Sequence, residues 1–147
     1  MKSLSRTLAV LGAAAILASC STMHGMMQSG SSSSQSVTLT GANEVPAVST
    51  SASGSGMVTV NEDHTVSAKI IATGMNATAA HIHQGAKGAN GKVIVPFTKT
   101  GDNEFSAPAG AKLTDEQYQA YKAGDLYVNV HSAAHPGGEI RAQLSGR

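Results

Sequence analysis

The chain has 147 residues, and its 10 Lys and Arg against 9 Asp and Glu give a formal charge of +1. So even a balance leaves no basic patch for nucleic acid or an anionic lipid surface to grip. One cysteine excludes an intramolecular disulfide, so a folded domain must be held by its apolar core alone.

Lys2 and Arg6 form a positive leader, and residues 8–17 follow as an apolar run of about ten residues, the length of a signal-peptide core and too short to span a bilayer. Leu17-Ala18-Ser19-Cys20 resembles a bacterial lipobox. The resemblance implies that residues 1–19 are a lipoprotein signal peptide, cleaved before Cys20, and that the lipidated Cys20 anchors the mature chain in a lipid bilayer. Ser21 in the next position, rather than Asp, favours outer-membrane sorting by the same analogy. The expected location is the bacterial cell envelope, on the periplasmic face of the outer membrane. Loss of Lys2 and Arg6 also leaves the mature chain slightly acidic.

Residues 20–36 carry the cysteine and a Ser- and Met-rich stretch with no charged residue, which reads as a flexible tether that buries nothing. Met23, His24, Met26 and Met27 are soft donors of the kind that suit Cu(I), although four such residues arise easily by chance in a linker.

Residues 37–147 make one domain. Short strands are predicted over 37–40, 56–60, 65–73, 79–83, 92–97, 125–131 and 139–144, separated by turn formers at 61–63, 74–76, 85–91, 100–103 and 136–138. Many short strands at this spacing predict an all-β fold, an antiparallel Greek-key-like sandwich or barrel. One short crossover helix is expected over 115–123, with Thr114 as N-cap, Gln117 completing a capping box and Gly124 just past the end.

Alternation along the strands assigns the histidines to a face. In the strand ending at His131, Leu126, Val128 and Val130 point inward, which leaves Tyr127, Asn129 and His131 outward. Ala80 and Ile82 point inward in the earlier strand, so His81 and His83 share its outer side. Two residues of strand advance roughly 6.6 Å, a gap that two rotating imidazoles can close onto one ion. In the last strand Ile140, Ala142 and Leu144 point inward, and Glu139, Arg141 and Gln143 outward. These assignments predict a surface cluster of His81, His83, His131 and, from the following turn, His135, supported by a polar network of Asn129, Glu139 and Arg141. Neutral imidazole is the commonest protein ligand for transition metals, and the affinity order puts copper ahead of zinc. His64, in a hairpin loop, and His24 read as solvent-exposed bystanders.

Four motifs then carry a family resemblance. They are Gly41-Ala42-Asn43-Glu44-Val45-Pro46, Ala80-His81-Ile82-His83-Gln84-Gly85 with Gly88-Ala89-Asn90-Gly91, Leu126-Tyr127-Val128-Asn129-Val130-His131, and His135-Pro136-Gly137-Gly138-Glu139-Ile140-Arg141. In this order the chain resembles the CHRD domain, the chordin-type repeat common in bacterial exported proteins, over about residues 37–146. The resemblance implies an all-β fold and offers little agreed chemistry. A weaker resemblance is to copper,zinc superoxide dismutase, in which a His-x-His strand and a later Val-His strand supply copper ligands that His81, His83 and His131 would match. The dismutases carry their bridging histidine and zinc ligands between those strands, and residues 84–130 here contain no histidine. That departure puts dismutase chemistry in doubt and leaves a mononuclear copper site.

No Gly-x-Ser-x-Gly elbow accompanies the serines, and the glycines of residues 85–91 lack the Walker spacing, so neither a serine hydrolase nor a phosphate loop is expected. The sequence therefore predicts a lipid-anchored binding module, more a binder than an enzyme, taking up copper for sequestration or delivery. Two alternatives stand beside it: a structural or protein-binding envelope lipoprotein without metal, whose partner would be another envelope protein, and a dismutase-like copper enzyme.

Overall fold

In a computed structural model, residues 32–146 are described. The signal peptide, Cys20 and the tether residues Met23, His24, Met26 and Met27 lie outside them. Nine strands form a single sheet: β1 (Ser32–Thr40), β2 (Ser53–Asn61), β3 (Val66–Thr73), β4 (Ala77–Gln84), β5 (Lys92–Pro96), β6 (Thr98–Gly101), β7 (Glu104–Ser106), β8 (Leu126–Ser132) and β9 (Ile140–Leu144). Every pairing is antiparallel, in the order β5-β4-β8-β9-β1-β2-β3-β7-β6. The expected all-β antiparallel fold is thus present, as a barrel-like sheet that nearly closes on itself.

The near-closure has a covalent cause. β5 and β6 are the two edges of the sheet, and only Phe97 separates them in the chain. Phe97 N donates to Ala80 O at 3.0 Å and Lys99 Nζ to Ala77 O at 3.0 Å, so the chain passes from one edge to the other across β4. The interior is aliphatic: Leu39, Val58, Ile70, Ile82, Leu126, Val128, Val130 and Ile140 are all fully buried, joined by Phe105. Inward alternation in β4, β8 and β9 follows the sequence pattern.

Three parts of the reading need correction. The first strand begins at Ser32 rather than at residue 37, so the end of the expected tether is folded. Residues 32–36 hide their strand because the ladder to β2 is made by backbone, and the inward position is filled by an amide rather than a hydrocarbon. Gln35 is buried, and its Oε1 accepts from Ser145 N at 2.9 Å while its Nε2 donates to Tyr121 Oη at 3.2 Å. The turn expected at 100–103 is present at Asp102 and Asn103, but it joins two short strands, β6 and β7, that were not predicted. There Asn103, at φ 56°, accepts from Ala77 N through Oδ1 at 2.8 Å and ties the hairpin to the start of β4.

The helix α1 (Asp115–Ala123) forms where expected. Thr114 and Gln117 make both halves of the capping box, and Gly124 at φ 80° ends the helix in the left-handed conformation that glycine tolerates. Its buried Tyr121 seals the core near β1. His64 is no bystander: its ring stacks on Tyr118 at 4.2 Å and its Nδ1 lies 3.3 Å from Asp115 Oδ1, docking the helix start on the β2–β3 turn.

Candidate metal centre

β4 and β8 are neighbours, with His83 opposite Tyr127, His81 opposite Asn129, and Ala79 opposite His131. All six side chains share the sheet face away from the aliphatic core. Because Ala79 is small, the His131 ring has room to lean diagonally toward His81, and His81 Nδ1 lies 3.0 Å from His131 Nε2. One ligand atom from each of His81, His83 and His131 falls within 4.8 Å of the other two.

The expectation of a surface cluster is overturned here. His83 is 7% and His131 8% exposed, Asn129 and Tyr127 are buried, and only His81 is half-buried. Alternation placed these residues on the correct face, but the face is covered by three backbone segments, residues 41–48, 85–91 and 133–138. The cover also orients the rings. His83 Nδ1 sits 2.9 Å from Gly91 O, and His131 Nδ1 sits 2.9 Å from Pro136 O. A carbonyl only accepts, so each Nδ1 carries the proton and donates it, and each Nε2 is left as an acceptor, that of His131 facing His81 Nδ1. His83 Nε2 is buried with no hydrogen-bond partner. Two further buried acceptors without a partner, Glu44 Oε1 and Asn129 Oδ1, lie in the same layer, so the covered face keeps several unused lone pairs.

Burial pushes all three histidines below their ordinary range. His81 is pulled down to about 4, by burial first and then by His131 and His83; His83 and His131 are lowered chiefly by burial, although their carbonyl partners oppose it. At neutral pH all three are uncharged and able to ligate. A prediction follows for the metal-free protein. Below pH about 6.5 the unfolded chain takes up protons that the folded trio refuses, so stability falls between pH about 6.5 and about 4 and is level above that window. Burial holds the Glu44 carboxyl up, which works with the opposite sign, so the measurement is a difference: urea midpoints at pH 7.5 and 4.5 for wild type and His81→Ala. The variant should lose less stability on acidification; equal losses would refute the assignment.

Arg141 locks the cover down. Its guanidinium carbon lies 3.4 Å from the centre of the Tyr127 ring, and that ring stacks on His83 at 4.8 Å with only 6° between planes. Nη1 donates to Ala89 O at 3.0 Å, and Nη2 to Ala86 O at 3.2 Å and Gln143 Oε1 at 2.9 Å. Tyr127 Oη accepts from Gly91 N at 3.1 Å. Gly91 is required for this approach, since a Cβ there would overlap the Gln84 carbonyl. The supporting network of Asn129, Glu139 and Arg141 thus divides. Asn129 and Arg141 belong to the histidine layer, whereas Glu139 turns away and accepts from Thr50 Oγ1 at 2.7 Å. His135 stays in the turn after β8, its N donating to Ser132 Oγ, and does not join the converging trio.

From the sequence, Glu44 is expected in a buried or edge ion pair with Glu139 and Arg141, and it does act on Arg141 from a buried position; the residues of the cover were missed. Glu44 is buried behind Gly138, where burial raises its pKa and the Arg141 charge and Asn129 amide oppose that only in part. The Gly41 to Pro46 motif marked the segment without suggesting that its acid reaches the histidine layer.

The fold and site together define a small antiparallel β-barrel carrying a covered trihistidine cluster. A family model, the CHRD domain, matches residues 35–144, nearly all of the barrel, and the chain belongs to that family. No curated protein and no solved structure matches the chain.

Proposed function

We propose that this CHRD protein is a metal-binding module that holds copper, in preference to zinc, through His81, His83 and His131. In this reading it is exported, anchored in a lipid bilayer through acylated Cys20, and presented on the periplasmic face of the outer membrane for sequestration or delivery. The observation that carries it is the pair of fixed tautomers: Gly91 O and Pro136 O each take an Nδ1 proton, which leaves two Nε2 lone pairs converging with His81. Carbonyl groups that fix the outer nitrogen of a ligating histidine are the usual supporting shell of a metal site. A second reading has its own support, because the direct His81–His131 contact at 3.0 Å is also what a purely structural polar network would contain.

The test is a chelator-competition titration of the full chain with copper and zinc salts, repeated with His81→Ala, His83→Ala, His131→Ala and Cys20→Ser. One ion should bind per chain, each histidine substitution should weaken binding about 100-fold or more, and Cys20→Ser should not matter. Binding indifferent to the three histidines would favour the structural reading. Metabolic labelling with a fatty acid, lost in Cys20→Ser, checks the anchor independently.

A further inference from the structure

We infer that the trihistidine centre is built for a monovalent d10 cation, Cu(I), and discriminates against divalent ions; this rests on the metal-binding reading above and narrows it. The first support is the charge of the donor set. His81, His83 and His131 are three neutral donors, and no carboxylate or thiolate belongs to the group. The groups that touch the rings, the Gly91 and Pro136 carbonyls and the Tyr127 ring, are formally neutral as well.

The second support is the position of a positive charge. Arg141 is 1% exposed, and its guanidinium is stacked on the ring that stacks on His83. The guanidinium stays protonated at any physiological pH, so a fixed cation stands behind the centre. Glu44, buried in the same layer, faces that cation and attenuates its field, but it does not join the donor set. The cost of desolvating an ion grows with the square of its charge, so a divalent ion pays about four times the penalty of a monovalent one, and its repulsion from Arg141 is about twice as large. Zinc sites commonly offset this with thiolates or carboxylates, and this centre has neither.

The third support is coordination number. Two of the three rings are more than nine-tenths buried under the backbone cover, and no fourth His, Cys, Asp or Glu joins them among the described residues. Zn(II) seeks four ligands and Cu(II) a tetragonal set, so each would have to recruit water or an anion on the His81 side. Three nitrogens satisfy Cu(I).

The experiment uses the full chain carrying Cys20→Ser, which removes the only thiol, and a matched chain that also carries His83→Ala, which subtracts any ion taken by the methionines near the N-terminus. Cu(I) is titrated anaerobically against bicinchoninate, Ag(I) serves as a redox-inert monovalent probe, and Zn(II) and Cu(II) are titrated against chelators of known strength. Cu(I) and Ag(I) should bind one per chain, about 100-fold or more tighter than either divalent ion, and lose that binding in the His83→Ala chain. Asn129→Asp places an anion opposite Arg141 beside the trio, and with circular dichroism unchanged it should narrow the ratio by about tenfold or more. Divalent binding as tight as Cu(I), and sensitive to His83→Ala, would overturn the inference while leaving a metal site. Failure of every ion to bind would overturn the site itself.

Discussion

Arg141→Met should destabilise the protein by about 3–5 kcal/mol and lower its melting temperature by about 10–20 °C. Methionine keeps much of the length and apolar volume of the stem, so the loss isolates the guanidinium. Three consequences add up. The carbonyls of Ala86 and Ala89 and the amide oxygen of Gln143 lose a charged donor, the Tyr127 face loses its cation, and residues 85–91 lose their fastening to the barrel. The loop should open before the barrel does. Thermal melts measure the first effect, and amide exchange across residues 85–91 against β8 measures the second. A melting temperature within about 2 °C of wild type would mean that the loop is held by other contacts. Because Gly91 O fixes the His83 tautomer, metal affinity should fall in the same variant even at temperatures where it remains folded.

Gly138→Ala should cost about 2–4 kcal/mol, while Gly137→Ala, one residue away, should stay within about 0.5 kcal/mol of wild type. Gly138 has φ 130°, a conformation that residues with a side chain rarely adopt, and a Cβ there would lie 2.5 Å from both Asn129 Nδ2 and Glu44 Oε1. Neither neighbour can withdraw cheaply, since both are buried in the histidine layer. A Cβ on Gly137 meets nothing within 4 Å. Equilibrium unfolding of the two variants side by side decides the matter, and equal stabilities would remove Gly138 from the architecture of the centre. The predicted disturbance enters through Asn129, so His83 should register it as a changed ring resonance.

Period-two alternation made the faces of β4, β8 and β9 legible, together with the residues that share them. It cannot report what lies over a face. The cover acts through the carbonyls of Ala86, Ala89, Gly91 and Pro136, and a backbone oxygen leaves no mark in a side-chain pattern. That is why residues 85–91 read only as a turn-rich connection, and why the cluster looked solvent-facing. The helix was legible to its ends because caps are side-chain chemistry. β1 was shortened for the opposite reason: serines carry little strand signal, and Gln35 occupies an inward position by satisfying its amide rather than by being apolar. Glu139 and Arg141 looked like partners because they share a strand face, yet Glu139 accepts from Thr50 in the loop before β2 and Arg141 donates to the Ala86 and Ala89 carbonyls of the cover.

The passage of the chain from β5 to β6 through Phe97 bears on how many copies can be crowded together. An open sheet of nine strands would end in two rows of unpaired amides, each a template for a neighbouring molecule. Here residues 97–99 run on beside Ala77–Ala80 of β4, which occupies that stretch of the seam with the chain itself, and β5, paired only with β4, is a five-residue edge that Lys92 and Pro96 blunt as a template. Wherever copies of the chain meet, this arrangement offers them only one short, charged and proline-ended strand to extend.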